Sequence, residues 1–228
     1  MNQELRWEVH KKDTSLEDRF VRKLGIHPII ARVLINRGIT TFEDALSFLK
    51  PSLKSITPSD SLRDISIATE RVLEALDRGE KITLFGDYDV DGVTAGSLLC
   101  SFFRDIGVSV DCYYPNRLEE GYGLNSPALK KIVQDGTRLI IALDLGVTNS
   151  AEVMYARGLG ADVIILDHHE VPNELPQATA IVNPHRLDCP FPFKGLCGAG
   201  LAYYLTIALR TRLREKGYFK RGAEPNLR

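Results

Sequence analysis

The chain has 228 residues, of which 44% are hydrophobic and 26% are charged, as in an ordinary soluble globular protein. This length allows one large domain or two small ones with a real core. The formal net charge of −1 gives no bulk attraction to polyanions, so a nucleic-acid role would depend on a local basic patch.

Localisation and redox state are inferred from features that the sequence lacks. Residues 1–13 contain no apolar core of a signal peptide, and no run approaches the ~18 apolar residues of a membrane span. We therefore expect a cytoplasmic protein without membrane contact. The four cysteines form no C-x-x-C pair and are expected to be reduced thiols; they are Cys100, Cys112, Cys189 and Cys197.

Residues 1–58 are predicted to form a lead-in of short helices, followed by a larger domain at 59–228. The stretch HPIIARVLINRGI (27–39) has helical spacing. The stretch TTFEDALSFLK (40–50) begins with threonine capping signals, and Pro51 ends it. A longer helix is predicted within 61–80, ending at Gly79.

Five short runs in the rest of the chain have the composition of strands, and the stretches between them, such as 94–107 and 125–136, have helical spacing. Strands that alternate with helices predict an α/β fold with a parallel β-sheet and helices on both faces. The predicted strands are KITLF (81–85), VSVDCYY (108–114), RLIIALD (138–144), DVIILD (162–167) and AIVN (180–183).

Polar or ionisable side chains follow every predicted strand. Because sites in open α/β sheets form at the carboxyl ends of the strands, we expect these side chains to share one site. In strand order they are Asp87; Asn116 and Arg117; Asp144; Asp167, His168 and His169; and Asn183 and His185.

The stretch FGDYDVDGVTAG (85–96) places Asp87, Asp89 and Asp91 at alternate positions, where the carboxylates repel one another unless a cation lies among them. An EF-hand loop begins in this way, but its twelfth position would be Leu98 instead of an acid. No Walker A loop and no G-x-G-x-x-G fingerprint is present. Carboxylates with imidazoles and no thiolate favour Mn²⁺ or Mg²⁺, and two such ions about 3.5–4 Å apart support hydrolysis of phosphate esters or anhydrides.

Each candidate also has a purely structural interpretation. The acidic loop is either a metal site or a solvated turn, and Asp144 either binds metal or caps the next helix. Asp91 shapes the turn with Gly92 or supports the ligands. Arg117 is a surface charge or a bidentate clamp on a phosphate.

The last helix offers two further candidates with open alternatives. Gly198 and Gly200, at its start, allow close helix packing or hold an anion on the N-terminal amides. Its basic residues form a solvated helix face or follow the phosphates of a strand. These residues are Arg210, Arg212, Arg214, Lys216, Lys220 and Arg221.

The motifs together resemble the DHH phosphoesterase superfamily, which is named for the triplet at 167–169. Within it, five segments resemble, in order, the motifs of the RecJ group of single-strand-specific 5′→3′ DNA exonucleases, and the lead-in resembles the start of that group. The five segments are GDYDVDGVTAG, NRLEEGYGLN, LDLGVTN, LDHHEVPNELPQATAIVNPHR and GLCGAGLAYYL.

The resemblance implies a role for each candidate residue. It implies that two Mn²⁺ or Mg²⁺ ions are bound and that His169 contacts the scissile phosphate or supports the leaving group. The implied metal ligands are Asp87, Asp89, Asp144 and His168; the catalytic residues are Asp89, Asp144 and His169; the substrate contacts are Arg117, His169, Gly198 and Gly200; and the supporting carboxylates are Asp91 and Asp167.

The resemblance also implies single-stranded DNA as the substrate, in repair or recombination, with a single-strand-binding protein and a repair helicase as partners. The family places a further metal-binding Asp, a second domain and an OB-fold after the triplet, and none of them occurs before Arg228. We therefore expect an N-terminal fragment or a truncated product with little nuclease activity. The alternatives are a hydrolase of small phosphates (oligoribonucleotides, cyclic dinucleotides or pyrophosphate) and a DHH-fold binding protein without catalysis.

Overall fold

The computed structural model describes residues 13–53, 56–219 and 224–227, and the chain divides into two compact units, Met1–Ile56 and Thr57–Arg228. The first unit contains α1 (Thr14–Leu24), α2 (Pro28–Asn36) and α3 (Phe42–Leu49). The Thr41 hydroxyl caps α3 by accepting a 3.1 Å hydrogen bond from the Asp44 amide. The helices predicted within 27–39 and 40–50 are confirmed. The apolar faces of α1, α2 and α3 share a core of Leu16, Phe20, Ala31, Leu34 and Ala45.

The second unit is built on a five-stranded sheet in which every pairing is parallel and the strand order is β2-β1-β3-β4-β5. The predicted α/β fold is confirmed. The edge strand β2 is shorter than the predicted 108–114, because it pairs with β1 alone and is largely exposed. The strands are β1 (Lys81–Gly86), β2 (Asp111–Tyr113), β3 (Thr137–Leu143), β4 (Asp162–Leu166) and β5 (Ala180–Val182).

Helices cover both faces of the sheet, as predicted. One face packs against α6 (Ser126–Gln134) and α7 (Ser150–Gly158), with Phe85, Ile140 and Ile165 in the shared core. Alternate strand residues point the other way. The other face packs against α4 (Ile65–Arg78), α5 (Val90–Asp105) and α8 (Gly198–Glu215). Among the described helices, none combines the length and apolar composition that a membrane crossing requires.

The strand order places a crevice where the site was predicted. The chain leaves β1 towards β2 on one side and later returns to β3 on the other, so the direction of winding changes between β1 and β3. In open α/β sheets, ligands bind at the carboxyl ends of the strands beside such a switch point. Asp87 follows β1 and Asp144 follows β3, so both lie at this crevice.

Candidate metal centre

Three buried aspartates stand at the carboxyl edge of the sheet because the backbone ladder extends past the strands. The amide of Asp87 donates to Leu143 O at 3.2 Å, that of Asp144 to Leu166 O at 2.9 Å, and that of Asp167 to Val182 O at 3.2 Å. The same backbone bonds that hold the sheet therefore fix the Cα positions of these acids. Rigid placement of this kind is what a precise ligand set requires.

The carboxylates and imidazoles form two overlapping groups. One ligand atom from each of Asp87, Asp89 and Asp144 lies within 4.8 Å of the others, and the same holds for Asp144, His168 and His169. Asp144 belongs to both groups. The structure thus brings together the four predicted metal ligands and His169. His185, also predicted at this edge, belongs to neither group.

Two buried oxygen atoms in the centre have no hydrogen-bond partner among the described residues: Asp87 Oδ1 and Asp144 Oδ1. His168 Nε2 lies 3.0 Å from Asp144 Oδ1, but the approach lacks hydrogen-bond alignment. Buried carboxylate oxygens without donors are costly unless a cation compensates them. Unpartnered oxygens facing an imidazole nitrogen therefore fit a divalent metal ion, and the oxygen and nitrogen donors suit Mn²⁺ or Mg²⁺.

The electrostatics of the centre agree with this fit. Burial, with repulsion from Asp91 and Asp89, raises the pKa of Asp144 to about 7. Burial also raises the pKa of Asp87, and the charge of Asp89 adds to this rise. Without a cation, the cluster holds protons that ordinary aspartates release, and a cation would compete for the same oxygens.

Asp144 also has an unusual backbone. Its φ of 62° lies in the left-handed region, which non-glycine residues rarely adopt. Such a conformation costs on the order of 1–3 kcal/mol and persists only where the surroundings fix it. Because Asp144 directly follows β3, this left-handed conformation makes the backbone turn at the end of the strand.

Asp89 directly precedes α5 and Asp91 lies in its first turn, and the two carboxylates make different contacts. Asp89 caps the helix, since its Oδ1 accepts from the amides of Asp91 at 2.9 Å and Gly92 at 3.0 Å. This cap explains why α5 begins at Val90, ahead of the predicted 94. Asp91 reaches across to α8, where it accepts from the amides of Gly198 at 2.6 Å and Ala199 at 2.8 Å.

The start of α8 therefore holds a carboxylate of the protein itself. Asp91 occupies the amides of Gly198 and Ala199, and Gly200 N donates to Cys197 Sγ at 3.4 Å. Gly198 also permits close packing, because a Cβ there would lie 2.8 Å from Asp144 Cβ. These contacts support the packing interpretation of the two glycines.

His169 is held by Asp167, which is buried. The Nδ1 of His169 lies 2.7 Å from Asp167 Oδ1, and the second oxygen, Oδ2, accepts from Val147 N at 2.9 Å. Burial lowers the pKa of His169, but the hydrogen bond and charge of Asp167 outweigh it and raise the pKa overall. The side-chain Nδ2 of Asn183 also donates to His169 O at 3.0 Å.

Two aromatic residues that were not predicted as site residues, Tyr88 and Tyr122, border the centre. The guanidinium of Arg117, an exposed side chain, lies 5.5 Å from the ring centroid of Tyr88. Tyr122 packs edge-on against His169, with ring centroids 6.2 Å apart, and its hydroxyl donates to Asp144 O at 3.3 Å. Both tyrosines lie inside the quoted motifs, as the Tyr of GDYD and of EGYG.

The described basic residues of α8 and Lys216, which directly follows it, are paired with acids. Arg212 binds Glu70 at 2.8 Å, Lys216 contacts Asp77 at 3.2 Å, and Arg214 and Arg210 both approach Glu224. This pairing supports a solvated helix face. Lys220 and Arg221, which belong to the same predicted set, lie outside the described residues.

Sequence comparison identifies the family. The family model described as "DHH family, N-terminal domain" matches residues 81–223, which include both ligand groups and α8. The chain belongs to the DHH family. The DHH triplet at 167–169 supplies the two imidazoles of the centre and the carboxylate that holds one of them.

Individual relatives confirm the resemblance to RecJ. The chain is 38% identical over 205 residues to the single-stranded-DNA-specific exonuclease RecJ of Bacillus subtilis, covering 90% of this chain and 26% of that protein. The RecJ of Escherichia coli is 39% identical over 203 residues, covering 88% and 34%. A solved structure of Thermus thermophilus RecJ in complex with Mn²⁺ superposes with a TM-score of 0.69 at 27% identity, covering 89% and 28%. The chain thus spans about a quarter to a third of the length of these relatives.

Proposed function

We propose that this chain carries the metal centre of a single-stranded-DNA-specific 5′→3′ exonuclease that hydrolyses phosphodiester bonds with two divalent cations. The observation that carries the proposal is the convergence of Asp87, Asp89, Asp144 and His168, with two carboxylate oxygens left without donors. RecJ proteins, named as single-strand-specific exonucleases, match most of the chain, and two of their structures are described as bound to Mn²⁺.

The two ligand groups define where the cations would be held. Asp87 and Asp89 would serve one ion, His168 the other, and Asp144 belongs to both groups. Bound cations would supply Lewis-acid stabilisation of charge on the phosphoryl oxygens and activation of water for in-line displacement. Asp89 keeps Oδ2 for this task, because only its Oδ1 is used to cap α5.

His169 is proposed to donate a proton to the scissile phosphate or to the leaving oxygen. Asp167 accepts from Nδ1, so the ring orientation is fixed and Nε2 remains for the substrate. Because the pKa of His169 is raised, the imidazole keeps both protons to a higher pH than an ordinary histidine. An Nε2–H donor beside a developing negative charge is the arrangement that general-acid catalysis needs.

Arg117 is proposed to bind a phosphate of the strand. The side chain is exposed, its charge opposes part of the burial-driven rise in the pKa of Asp87, and the Tyr88 ring lies beneath its guanidinium. A guanidinium that stacks on an aromatic ring is held in one orientation, and its N–H donors remain available to bind a phosphate. For Gly198 and Gly200, we propose that their contribution is to allow α8 to approach Asp144, with Asp91 occupying the amides.

The same proposal extends to the setting of the reaction. Single-stranded DNA arises in repair and recombination, and a single-strand-binding protein and a repair helicase are the partners we propose, in the cytoplasm. The relatives are named single-stranded-DNA-specific exonucleases, which supports the single-stranded substrate.

The test combines metal binding with substrate choice. Calorimetric titration of the chain with Mn²⁺ should show binding that the double variant Asp87→Asn/Asp144→Asn loses. With Mn²⁺ present, the low activity expected of the chain should remove nucleotides from the 5′ end of 5′-phosphorylated single strands and spare blunt duplexes. Preferential hydrolysis of dinucleotides or pyrophosphate would instead identify a hydrolase of small phosphates, and absence of Mn²⁺ binding would overturn the proposal.

A further inference from the structure

Two cysteines outside the metal centre lie within reach of a covalent bond. Cys100 Sγ on α5 and Cys112 Sγ on the edge strand β2 are 2.7 Å apart, and both are free thiols. This separation is shorter than van der Waals contact between two sulfur atoms. A disulfide has an S–S bond of about 2.05 Å, so the sulfurs need to approach by only about 0.7 Å.

The packing of α5 against the end of β2 holds the two cysteine sulfurs close together. Gly96 and Cys100 are four residues apart on α5 and therefore share one helix face, while Cys112 and Tyr114 are two residues apart where β2 ends. A Cβ on Gly96 would clash with the Tyr114 hydroxyl. The absence of a side chain at Gly96 thus lets Tyr114 pack against the helix, and the neighbouring strand residue brings its sulfur to Cys100.

An oxidant can reach the pair. Cys112 is exposed and Cys100 is half-buried, whereas Cys189 is buried in the core. Both sulfurs are therefore open to the first oxidation.

We propose that Cys100 and Cys112 form a redox site that closes to a reversible disulfide under hydrogen peroxide. In the first step the peroxide O–O bond breaks, one of the two thiols becomes a sulfenic acid, and one water molecule is released. In the second step the other sulfur attacks the sulfenic sulfur, the S–O bond breaks, and the oxygen leaves as water with the proton of the attacking thiol. Two thiols are oxidised by two electrons, one peroxide is reduced, and a dithiol restores the open form.

The bond would join α5 to β2 at the sheet edge. It is independent of the proposed hydrolysis, since neither sulfur belongs to the ligand groups.

Peptide mapping of the wild-type chain tests directly whether the disulfide forms. Trypsin cleaves after Lys81, Arg104 and Arg117, so the two cysteines fall on separate peptides, 82–104 and 105–117.

The chain is treated with hydrogen peroxide, alkylated after denaturation, digested and analysed by mass spectrometry without reduction. The expected product is the linked pair of peptides, lighter than their sum by two hydrogen atoms, at least about tenfold more abundant than any linkage to Cys197, and lost on treatment with dithiothreitol. Cys197→Ser should keep the product and Cys112→Ser should lose it. Separate sulfinic or sulfonic acids on the two peptides, or linkage mainly to Cys197, would overturn the proposal.

Discussion

Asp91 Oδ2 accepts a 2.6 Å hydrogen bond from the amide of Gly198, a residue 107 positions away in the sequence. Asp91 stands in the first turn of α5 and its carboxylate faces the first turn of α8, so one negative charge lies near the N-termini of two helices. Both helix dipoles favour this placement. The same contact joins α5 to α8 beside the metal centre, with His168 Nε2 3.5 Å from the carboxylate.

Replacing Asp91 by Ala should destabilise the fold. Two charge-assisted hydrogen bonds to α8 amides are lost and the favourable dipole interaction disappears, so we expect the free energy of unfolding to fall by about 2–3 kcal/mol. Urea denaturation followed by circular dichroism measures this. The matched control is Asp105→Ala, which removes an exposed carboxylate from the last turn of α5. Equal stability of the two variants would contradict a structural role for the contact.

Gly198→Ala should weaken metal binding more than Gly200→Ala does. A Cβ at Gly198 would lie 2.8 Å from Asp144 Cβ and 3.1 Å from Asp144 Cγ, so the ligand has to move. At Gly200 the nearest atom is Leu196 Cδ2 at 3.2 Å, the end of a flexible side chain. Displacing a group that positions a ligand typically costs 10–100-fold, so calorimetry should show Mn²⁺ affinity reduced by about tenfold or more for the first variant only.

The sheet and the location of the site follow from local sequence signals. Each strand is a short apolar run, and the parallel arrangement requires the side chains after Gly86, Leu143 and Leu166 to meet at one edge. The positions of these acids could therefore be predicted from the alternation of strands with helices and from where each strand ends. The resemblance to a known family added their roles.

The contacts that sequence reasoning missed depend on tertiary geometry. The Asp91–Gly198 bond joins residues 107 positions apart, and no periodicity predicts it. A left-handed φ is unfavourable for an aspartate, so local backbone propensity does not predict it at Asp144. The surrounding packing imposes this conformation. Cys100 and Cys112 show no C-x-x-C spacing, so only the packing of a helix on an edge strand brings their sulfurs together.

Asp167→Asn should lower the pKa of His169. The charge and hydrogen bond of Asp167 hold that pKa above its ordinary value, while burial alone would lower it. Titration of the metal-free protein by NMR, following the His169 ring protons, should show the drop. The low digestion of single strands should fall by about 10–100-fold further with Mn²⁺ affinity nearly unchanged, because the imidazole loses its orientation while the carboxylate ligands stay. An unchanged His169 titration would show that Asp167 does not control the ring.

The raised pKa of Asp144 predicts opposite pH effects on the metal-free and the metal-bound protein. The folded pKa of about 7 lies above the ordinary aspartate value. The folded state therefore binds the proton more tightly than the unfolded state. The stability from this group is complete below about pH 4 and is lost as the pH rises through about 7. Binding of Mn²⁺ displaces the same proton, so affinity should rise by about tenfold between pH 6 and pH 8 from Asp144 alone.

Calorimetry in two buffers of different ionisation enthalpy should detect proton release at pH 6 and much less at pH 8. Asp144→Asn is the matched variant, since Asn tolerates the left-handed conformation and carries no charge. At pH 8 the metal-free variant should be more stable than wild type by roughly 1–2 kcal/mol, because burial and repulsion no longer act on a carboxylate. It should also bind Mn²⁺ much more weakly and show no stabilisation by the ion. A variant that is less stable than wild type at pH 8, or that binds Mn²⁺ equally well, would show that Asp144 is neither the destabilising charge nor the shared ligand.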